Sequence, residues 1–254
     1  LSILGFGCMR FQRKGGKIDM EKAEKQLMDA YRAGVNYYDT AYIYPGSEAA
    51  VGEIFEKNGI RDKVYIATKL PHYLIKSAAG LDKLFNEELR RLRTDHVEYY
   101  LMHMLTDVDT WERLKGLGVA DWLAEKKACG QIRQVGFSYH GNSDTFCRIM
   151  DAWDWDFCQI QYNYMDEVSQ AGRRGLEEAA RLGIPVIIME PLRGGKIINL
   201  TRGETERLKE VCPDEDVVSA AFRYLQGFKG VKVILSGMSD MTQLKDNINT
   251  FETE

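Results

Sequence analysis

The sequence lacks several features that mark other classes of protein. Its 254 residues include no apolar run long enough to span a bilayer, so no membrane role is expected. A formal net charge of −4 gives no general attraction to phosphodiester backbones, so nucleic acid is not an expected partner. The cysteines are odd in number, scattered and without a CxxC pair, which argues against a disulfide scaffold or metal site and predicts reduced thiols in a cytoplasmic compartment.

The composition is that of an ordinary globular protein. Hydrophobic residues make up 44% of the chain and charged residues 28%, which excludes extended disorder. The length suits a single α/β barrel, so we expect one domain over residues 1–254. The chain begins at Leu1 rather than Met and ends just past a helical pattern, which leaves open that both ends are incomplete.

Short β-branched or aromatic runs alternate about eight times with longer amphipathic segments, a pattern typical of βα units around a parallel sheet. The predicted strands are Ile3–Cys8, Val35–Asp39, Val64–Lys69, His96–His103, Ile132–Ser138, Phe157–Gln161, Val186–Glu190 and Val231–Ser236. Evenly sized units without an edge-strand signal favour closure into a single-domain (β/α)8 TIM barrel. A doubly wound open sheet is the alternative and fits the pattern less well.

The segments between these strands have helical periodicity and plausible caps. The predicted helices are Met20–Ala33, Glu48–Asn58, Leu81–Leu92, Val119–Ala128, Asp144–Trp153, Arg174–Leu182, Asp216–Leu225 and Met241–Phe251. Asp19 is expected to cap the first helix. Gly34, Gly130 and Gly183 follow helices at positions that need a left-handed residue.

Four reactive residue types follow neighbouring strands. Asp39 ends the second predicted strand, Tyr44 lies in the loop after it, Lys69 ends the third and His103 ends the fourth. Loops at the carboxyl ends of barrel strands build the active site, so we expect these side chains to meet at one mouth.

The chemistry of such a group follows from its charges. A phenol of pKa about 10 is a weak acid, and the ammonium of Lys69 would bring the pKa of Tyr44 down. Asp39 would supply the counter-charge that a buried ammonium needs. His103 would hold a carbonyl oxygen beside Tyr44. Singly, the Lys69–Asp39 pair also fits a structural ion pair and His103 a core histidine, so the prediction depends on their convergence.

Longer stretches carry a resemblance to a known family. Residues 36–52 (NYYDTAYIYPGSEAAVG) are similar to the signature of the aldo-keto reductases. The similarity continues in family order through residues 4–10 (LGFGCMR), 67–70 (ATKL), 100–103 (YLMH), 135–138 (VGFS), 159–163 (QIQYN) and 190–195 (EPLRGG). The chain most resembles a bacterial subgroup of which some members continue into an iron–sulfur tail. No cysteine cluster occurs here, so no metal site is predicted.

The resemblance implies an NAD(P)H-dependent reduction of an aldehyde or ketone. Tyr44 would be the general acid, Lys69 and Asp39 would tune it, and His103 would orient the carbonyl. The residues implied to bind the cofactor are Gly7, Met9, Arg10, Asp39, Ser138, Gln159, Met189, Leu192, Gly194, Lys196, Gly237, Gln243 and Asn247. Ser138 and Gln159 match the carboxamide positions, and Leu192, Gly194 and Lys196 match the pyrophosphate loop.

The chain departs from the family pattern at the cofactor positions. Tyr139 stands where Asn commonly follows the serine, and Met189 stands where a stacking Tyr is frequent. Gly237 and Gln243 stand where many members carry cations for the 2′-phosphate. Family habit therefore predicts NADPH, with Lys245 or Arg193 as substitute cations, while the uncharged positions leave NADH open.

The substrate pocket is predicted from loop residues just beyond strand ends. The set is Phe11, His72, Tyr73, Met104 and Trp111. Its aromatic character suggests a small aldehyde, ketone or sugar-like carbonyl. The same residues also fit simple packing roles.

Two other functions remain open from the sequence. One is a regulatory subunit that keeps the barrel and cofactor but uses them as a redox sensor, because fold alone does not determine function. The other is a barrel isomerase or aldolase with Lys69 as a Schiff base. The sequence predicts neither the oligomeric state nor the physiological substrate.

Overall fold

The computed structural model describes residues 1–252 and contains a closed barrel of eight parallel strands. The barrel strands are β1 (Leu4–Gly7), β4 (Tyr37–Asp39), β5 (Tyr65–Leu70), β6 (Val97–Met102), β7 (Ile132–Tyr139), β8 (Phe157–Gln161), β9 (Val186–Met189) and β10 (Val231–Ser236). Strand β1 pairs with both β4 and β10, which closes the sheet. The prediction of a TIM barrel is confirmed, and the open doubly wound sheet is wrong.

Helices surround the barrel. They are α1 (Met20–Arg32), α2 (Ser47–Lys57), α3 (Ala78–Leu92), α4 (Val108–Gly116), α5 (Val119–Ala128), α6 (Ser143–Met150), α7 (Gly172–Leu182), α8 (Arg202–Val211), α9 (Val217–Gln226) and α10 (Met241–Glu252). The Asp19 side chain caps α1 by accepting from the Lys22 amide, as predicted. Gly34, Gly130 and Gly183 have the expected left-handed backbone, with φ of 89°, 83° and 73°. Within residues 1–252, no helix combines the length and apolarity needed to cross a bilayer.

Two strands and two helices were not predicted. Strands β2 (Arg13–Lys14) and β3 (Lys17–Ile18) form a hairpin with only two residues on each side, too short for a periodic signal. Helix α8 buries none of its residues, so it has no apolar stripe for periodicity to reveal. Helix α4 buries only Trp111 and Leu114 and begins after the cap residue Asp107.

The barrel interior is filled below its mouth by packed apolar side chains. This cluster consists of Tyr37, Ala67, Leu101, Phe157, Ile187, Val233 and Leu235. A larger apolar core lies between the sheet and the helices. The packed layer closes the barrel from below, so a ligand site is possible only at the carboxyl ends of the strands.

Candidate active site

The alternation of side chains along each strand determines which residues face the mouth of the barrel. Side chains two positions apart in a strand point to the same face. The interior residues Tyr37, Ala67, Leu101, Phe157 and Ile187 are therefore followed on the same face by a second layer. That layer consists of Asp39, Lys69, His103, Gln159 and Met189. Three of the four predicted catalytic residues belong to it.

A buried ion pair forms the centre of this layer. The Lys69 ammonium Nζ donates to Asp39 Oδ1 over 2.5 Å and to the Thr40 carbonyl over 2.7 Å. Gln159 Nε2 donates to the other Asp39 oxygen over 2.8 Å. Lys69 is 1% exposed and Asp39 5%, so both charges are buried and are satisfied by fixed partners.

Lys69 keeps its proton in this setting. Burial lowers the pKa of Lys69, but the opposing influence of Asp39 and of the Tyr44 phenol is greater together, and the net pKa lies above its ordinary value. The side chain is therefore an ammonium at neutral pH, a fixed positive charge under the mouth.

Tyr44 lies directly against that charge. The Lys69 Nζ atom is 5.2 Å from the centre of the Tyr44 ring, and the His103 ring meets it edge-on at 6.0 Å between centroids. Burial raises the pKa of Tyr44, Lys69 lowers it and Asp39 raises it, and the net pKa is above the ordinary value. The predicted influence of Lys69 thus has the right sign but burial outweighs it, so the phenol carries its proton at neutral pH.

His103 is an uncharged imidazole. Burial, then the Lys69 charge and the neighbouring His140 and His72, lower the pKa of His103 from 6.5 to about 3. Its Nδ1 atom is buried and has no hydrogen-bond partner among residues 1–252. A neutral ring beside the phenol carries one N–H and one acceptor nitrogen, so it can donate a single hydrogen bond to a substrate oxygen.

A groove of about 620 Å³ runs outward from the ends of β1, β9 and β10 toward α9 and α10. Six of the predicted cofactor residues line it: Arg10, Leu192, Gly194, Gly237, Gln243 and Asn247. Gly194 and Gly195 have φ of 63° and 85°, and a Cβ at Gly194 would lie 3.4 Å from the Arg10 guanidinium. A glycine turn without side chains beside a guanidinium leaves room and charge for a pyrophosphate, so the groove fits a dinucleotide.

The other predicted cofactor residues have different surroundings. Ser138 and Gln159 are paired across β7 and β8, both are buried, and the Ser138 hydroxyl accepts from the Met104 amide over 2.8 Å. Met189 is partly exposed beside them. Gly7 approaches Ser236 and Gly237 closely, whereas Met9 is 56% exposed.

Lys196 is not brought together with the groove. It lines a second cavity of about 660 Å³ between the loop after β9 and helices α8 and α9. After the turn at Gly194 and Gly195, Lys196 and Ile197 line this second cavity and Ile198 lines the groove again, so the pyrophosphate role of Lys196 stays a prediction.

The predicted substrate residues separate into surface and core groups. Tyr73 and Met104 are 49% and 41% exposed. His72 is buried and its Nε2 lies 3.3 Å from the Met104 carbonyl. Phe11 is buried against Phe6.

Trp111 belongs to the core. It is fully buried in α4, and its ring packs on Trp153 and Trp155 at centroid distances of 5.4 and 4.8 Å. Large aromatic rings dominate core packing, and this cluster holds α4 against α6 and the sheet. The assignment of Trp111 to the substrate pocket is therefore corrected to packing, the role that the sequence had left open for this set.

Sequence reasoning missed two residues of the mouth. The Thr40 carbonyl is the second acceptor of the Lys69 ammonium. Glu190 follows β9 with φ of 53° and pairs with Arg10 over 2.9 Å. Both stand directly after a strand, so the rule that selected Asp39 and Lys69 would also have selected them.

A closed barrel with polar side chains at its mouth is typical of a TIM-barrel enzyme. Comparison with known proteins identifies the enzyme family. The model of the aldo/keto reductase family matches residues 3–254, and the chain belongs to this family. An aldo-keto reductase of Mycolicibacterium vanbaalenii is 26% identical over 264 residues, which cover 100% of this chain and 84% of that protein. The aldo-keto reductase yakc of Schizosaccharomyces pombe, whose name specifies NADP(+), is 23% identical over 76% of this chain and 58% of its own length.

A solved structure gives the same fold. The holo form of an aldo-keto reductase from Bacillus halodurans superimposes with a TM-score of 0.77 over 99% of this chain and 87% of that chain, at 23% identity. The resemblance stated from the sequence is confirmed, as is the class of enzyme, an NAD(P)H-dependent oxidoreductase.

Proposed function

We propose that this enzyme reduces the carbonyl group of a small aldehyde or ketone to an alcohol, with Tyr44 as the general acid. One observation carries the proposal: a half-buried phenol lies between a salt-bridged ammonium and a neutral imidazole, above a closed apolar layer. Such a group can deliver a proton to an oxygen atom that enters the mouth.

The hydride comes from a reduced nicotinamide dinucleotide when it is bound. Ser138 and Gln159 offer polar groups for the nicotinamide amide, and the thioether of Met189 offers a polarizable surface for its ring. Arg10 and the glycine turn at Gly194 would hold the pyrophosphate. The groove beyond them would hold the adenosine.

The side chains of the mouth then divide the proton chemistry. His103 donates a hydrogen bond to the carbonyl oxygen and orients it toward the phenol. Tyr44 transfers its proton as negative charge develops on that oxygen. The phenolate left behind lies beside the Lys69 ammonium, which stabilises it, and Asp39 keeps Lys69 charged and in place.

The two alternative functions receive less support from the site. A Schiff base requires a neutral amine, whereas the pKa of Lys69 is raised by its buried partner. A redox sensor with little turnover would not need a proton donor poised beside a neutral imidazole. The predicted cytoplasmic location and the exact carbonyl substrate stay predictions.

The test is Tyr44→Phe, with Tyr42→Phe as the matched control. The two tyrosines lie in the same loop, but the Tyr42 ring packs on the Arg91 guanidinium, away from Lys69. We expect turnover on a panel of aldehydes and ketones to fall about 10²- to 10⁴-fold in Tyr44→Phe and to stay near wild type in Tyr42→Phe. Nicotinamide binding, followed by fluorescence, should persist in both variants. Full activity in Tyr44→Phe would reject the assignment.

A further inference from the structure

The charges along the dinucleotide groove are mainly negative. Arg10 is the one cation among the described residues that line it, whereas Glu190, Asp216 and Asp246 are three acids. A dinucleotide that carries a 2′-phosphate adds a charge of about −1.5 to −2 at neutral pH to the pyrophosphate charge. The groove therefore has no surplus positive charge to balance a 2′-phosphate.

The single cation, Arg10, already has an ion-pair partner. Arg10 Nη2 donates to Glu190 Oε1 over 2.9 Å, and the guanidinium lies against Gly194 at the pyrophosphate turn. Arg10 is thus placed to neutralise the pyrophosphate, and Glu190 already offsets part of its charge. Its aliphatic stem lies against Gly237, with Cδ 3.6 Å from where a Cβ would stand, while its guanidinium is turned to Glu190 and Gly194.

Among the described residues, the outer end is lined by an amide and a carboxylate and by no cation. Gln243 directs its Oε1 to the amide and hydroxyl of Ser239 over 2.9 and 3.1 Å. The Asp246 carboxylate lines the same groove and accepts no hydrogen bond from residues 1–252. A free carboxylate is suited to accept from a ribose hydroxyl and repels a phosphate on that ribose.

The two substitute cations suggested by the sequence do not line the groove. Arg193 pairs with Asp166, with 3.5 Å between Nε and Oδ2, and faces the second cavity. Lys245 lies on the exposed surface of α10 and is not part of the groove wall. Neither supplies the missing charge.

We propose that this enzyme selects NADH over NADPH, because Asp246 favours a free ribose hydroxyl and no described residue at the outer end of the groove brings a cation to a 2′-phosphate. The proposal deepens the proposed function and rests on it, since it concerns the same dinucleotide. It also reverses the expectation of NADPH that the family resemblance gave.

The experiment is a fluorescence titration of the full chain with NADH and with NADPH at low salt, which reads binding independently of turnover. We expect the Kd for NADH to be at least about tenfold lower than the Kd for NADPH. A factor of about ten is what one well-placed hydrogen bond to a charged group typically contributes to affinity. Gln243→Arg should tighten NADPH by about tenfold or more and leave NADH nearly unchanged. Thr242→Arg is the control, because it adds the same charge one residue away on the same helix, outside the groove lining.

A second variant tests the carboxylate without adding a cation. Asp246→Asn removes the repulsion, so its NADPH affinity should rise and the NADH preference should shrink. Equal or tighter binding of NADPH by the wild type overturns the proposal, as does a Thr242→Arg effect equal to that of Gln243→Arg. Failure to bind either dinucleotide would instead overturn the proposed function itself, and this inference with it.

Discussion

The buried imidazole of His103 makes the stability of the protein depend on pH in a way that can be calculated. The pKa of His103 is about 3 in the folded chain, against 6.5 for an unperturbed histidine. Below pH 6.5, His103 therefore binds a proton in the unfolded chain, whereas in the folded chain it binds that proton only near pH 3. The stability that His103 contributes is present above pH 6.5 and is lost as the pH falls through this window.

The size of the effect follows from the same two values. Lowering the pH from 7 to 5 should cost the folded state about 2 kcal/mol through His103 alone. At the acid end of the window the loss approaches roughly 5 kcal/mol, since each pKa unit corresponds to about 1.4 kcal/mol. Between pH 7 and pH 8 the contribution is nearly constant.

The assay is urea unfolding of the wild type and of His103→Gln at pH 8, 7, 6 and 5. Carboxylates and the remaining histidines, including His72 and His140, titrate in both proteins, so the difference between the two isolates His103. We expect the wild type to lose about 2 kcal/mol more than the variant between pH 7 and pH 5. Parallel pH profiles for the two proteins would refute the neutral, desolvated state of His103 and with it the donor role that we assign.

Two further changes test the site and the packing behind it. Lys69→Met leaves the Asp39 carboxylate buried without its cation, so we expect a loss of about 3–5 kcal/mol in unfolding free energy and loss of turnover; unchanged stability would contradict the buried pair. Gly52→Ala should destabilise the protein severely, because a Cβ there would lie 2.5 Å from the Arg91 carbonyl oxygen of α3. Gly80→Ala, where a Cβ would meet only the Ile75 side chain at an ordinary 3.8 Å, should stabilise the protein by about 0.5–1 kcal/mol. Thermal unfolding measures both, and similar melting temperatures for the two variants would refute the close packing of α2 on α3.

The fold was predictable because the chain repeats one physical unit. Parallel strands buried on both faces read as apolar runs, and the helices between them carry caps that local chemistry dictates, such as Asp19. Elements without a buried stripe, such as α8, leave no such trace. Periodicity therefore found the barrel and missed its surface additions.

The site was predictable to the extent that strand ends define it. Position in a strand places Asp39 and Lys69 at the mouth, but it cannot tell a loop residue that faces the cleft from one that faces the core, as Trp111 shows. The turn at Gly194 and Gly195 likewise brings Lys196 into the wall of the second cavity. These outcomes depend on backbone turns of positive φ and on packing between distant elements.

The net pKa of Tyr44 shows a further limit of prediction from the sequence, and it also explains how the site operates. Charges can be assigned from residue types, but desolvation depends on everything that surrounds them, and here it is the largest influence on both Tyr44 and His103. Burial keeps the phenol protonated and the imidazole neutral until a substrate arrives. Lys69 becomes decisive only once the proton has left, because an ammonium stabilises a phenolate far more than a phenol. The strand alternation that packs apolar side chains below therefore also determines the chemistry above them, since it places the buried Lys69 ammonium where the phenolate charge will form.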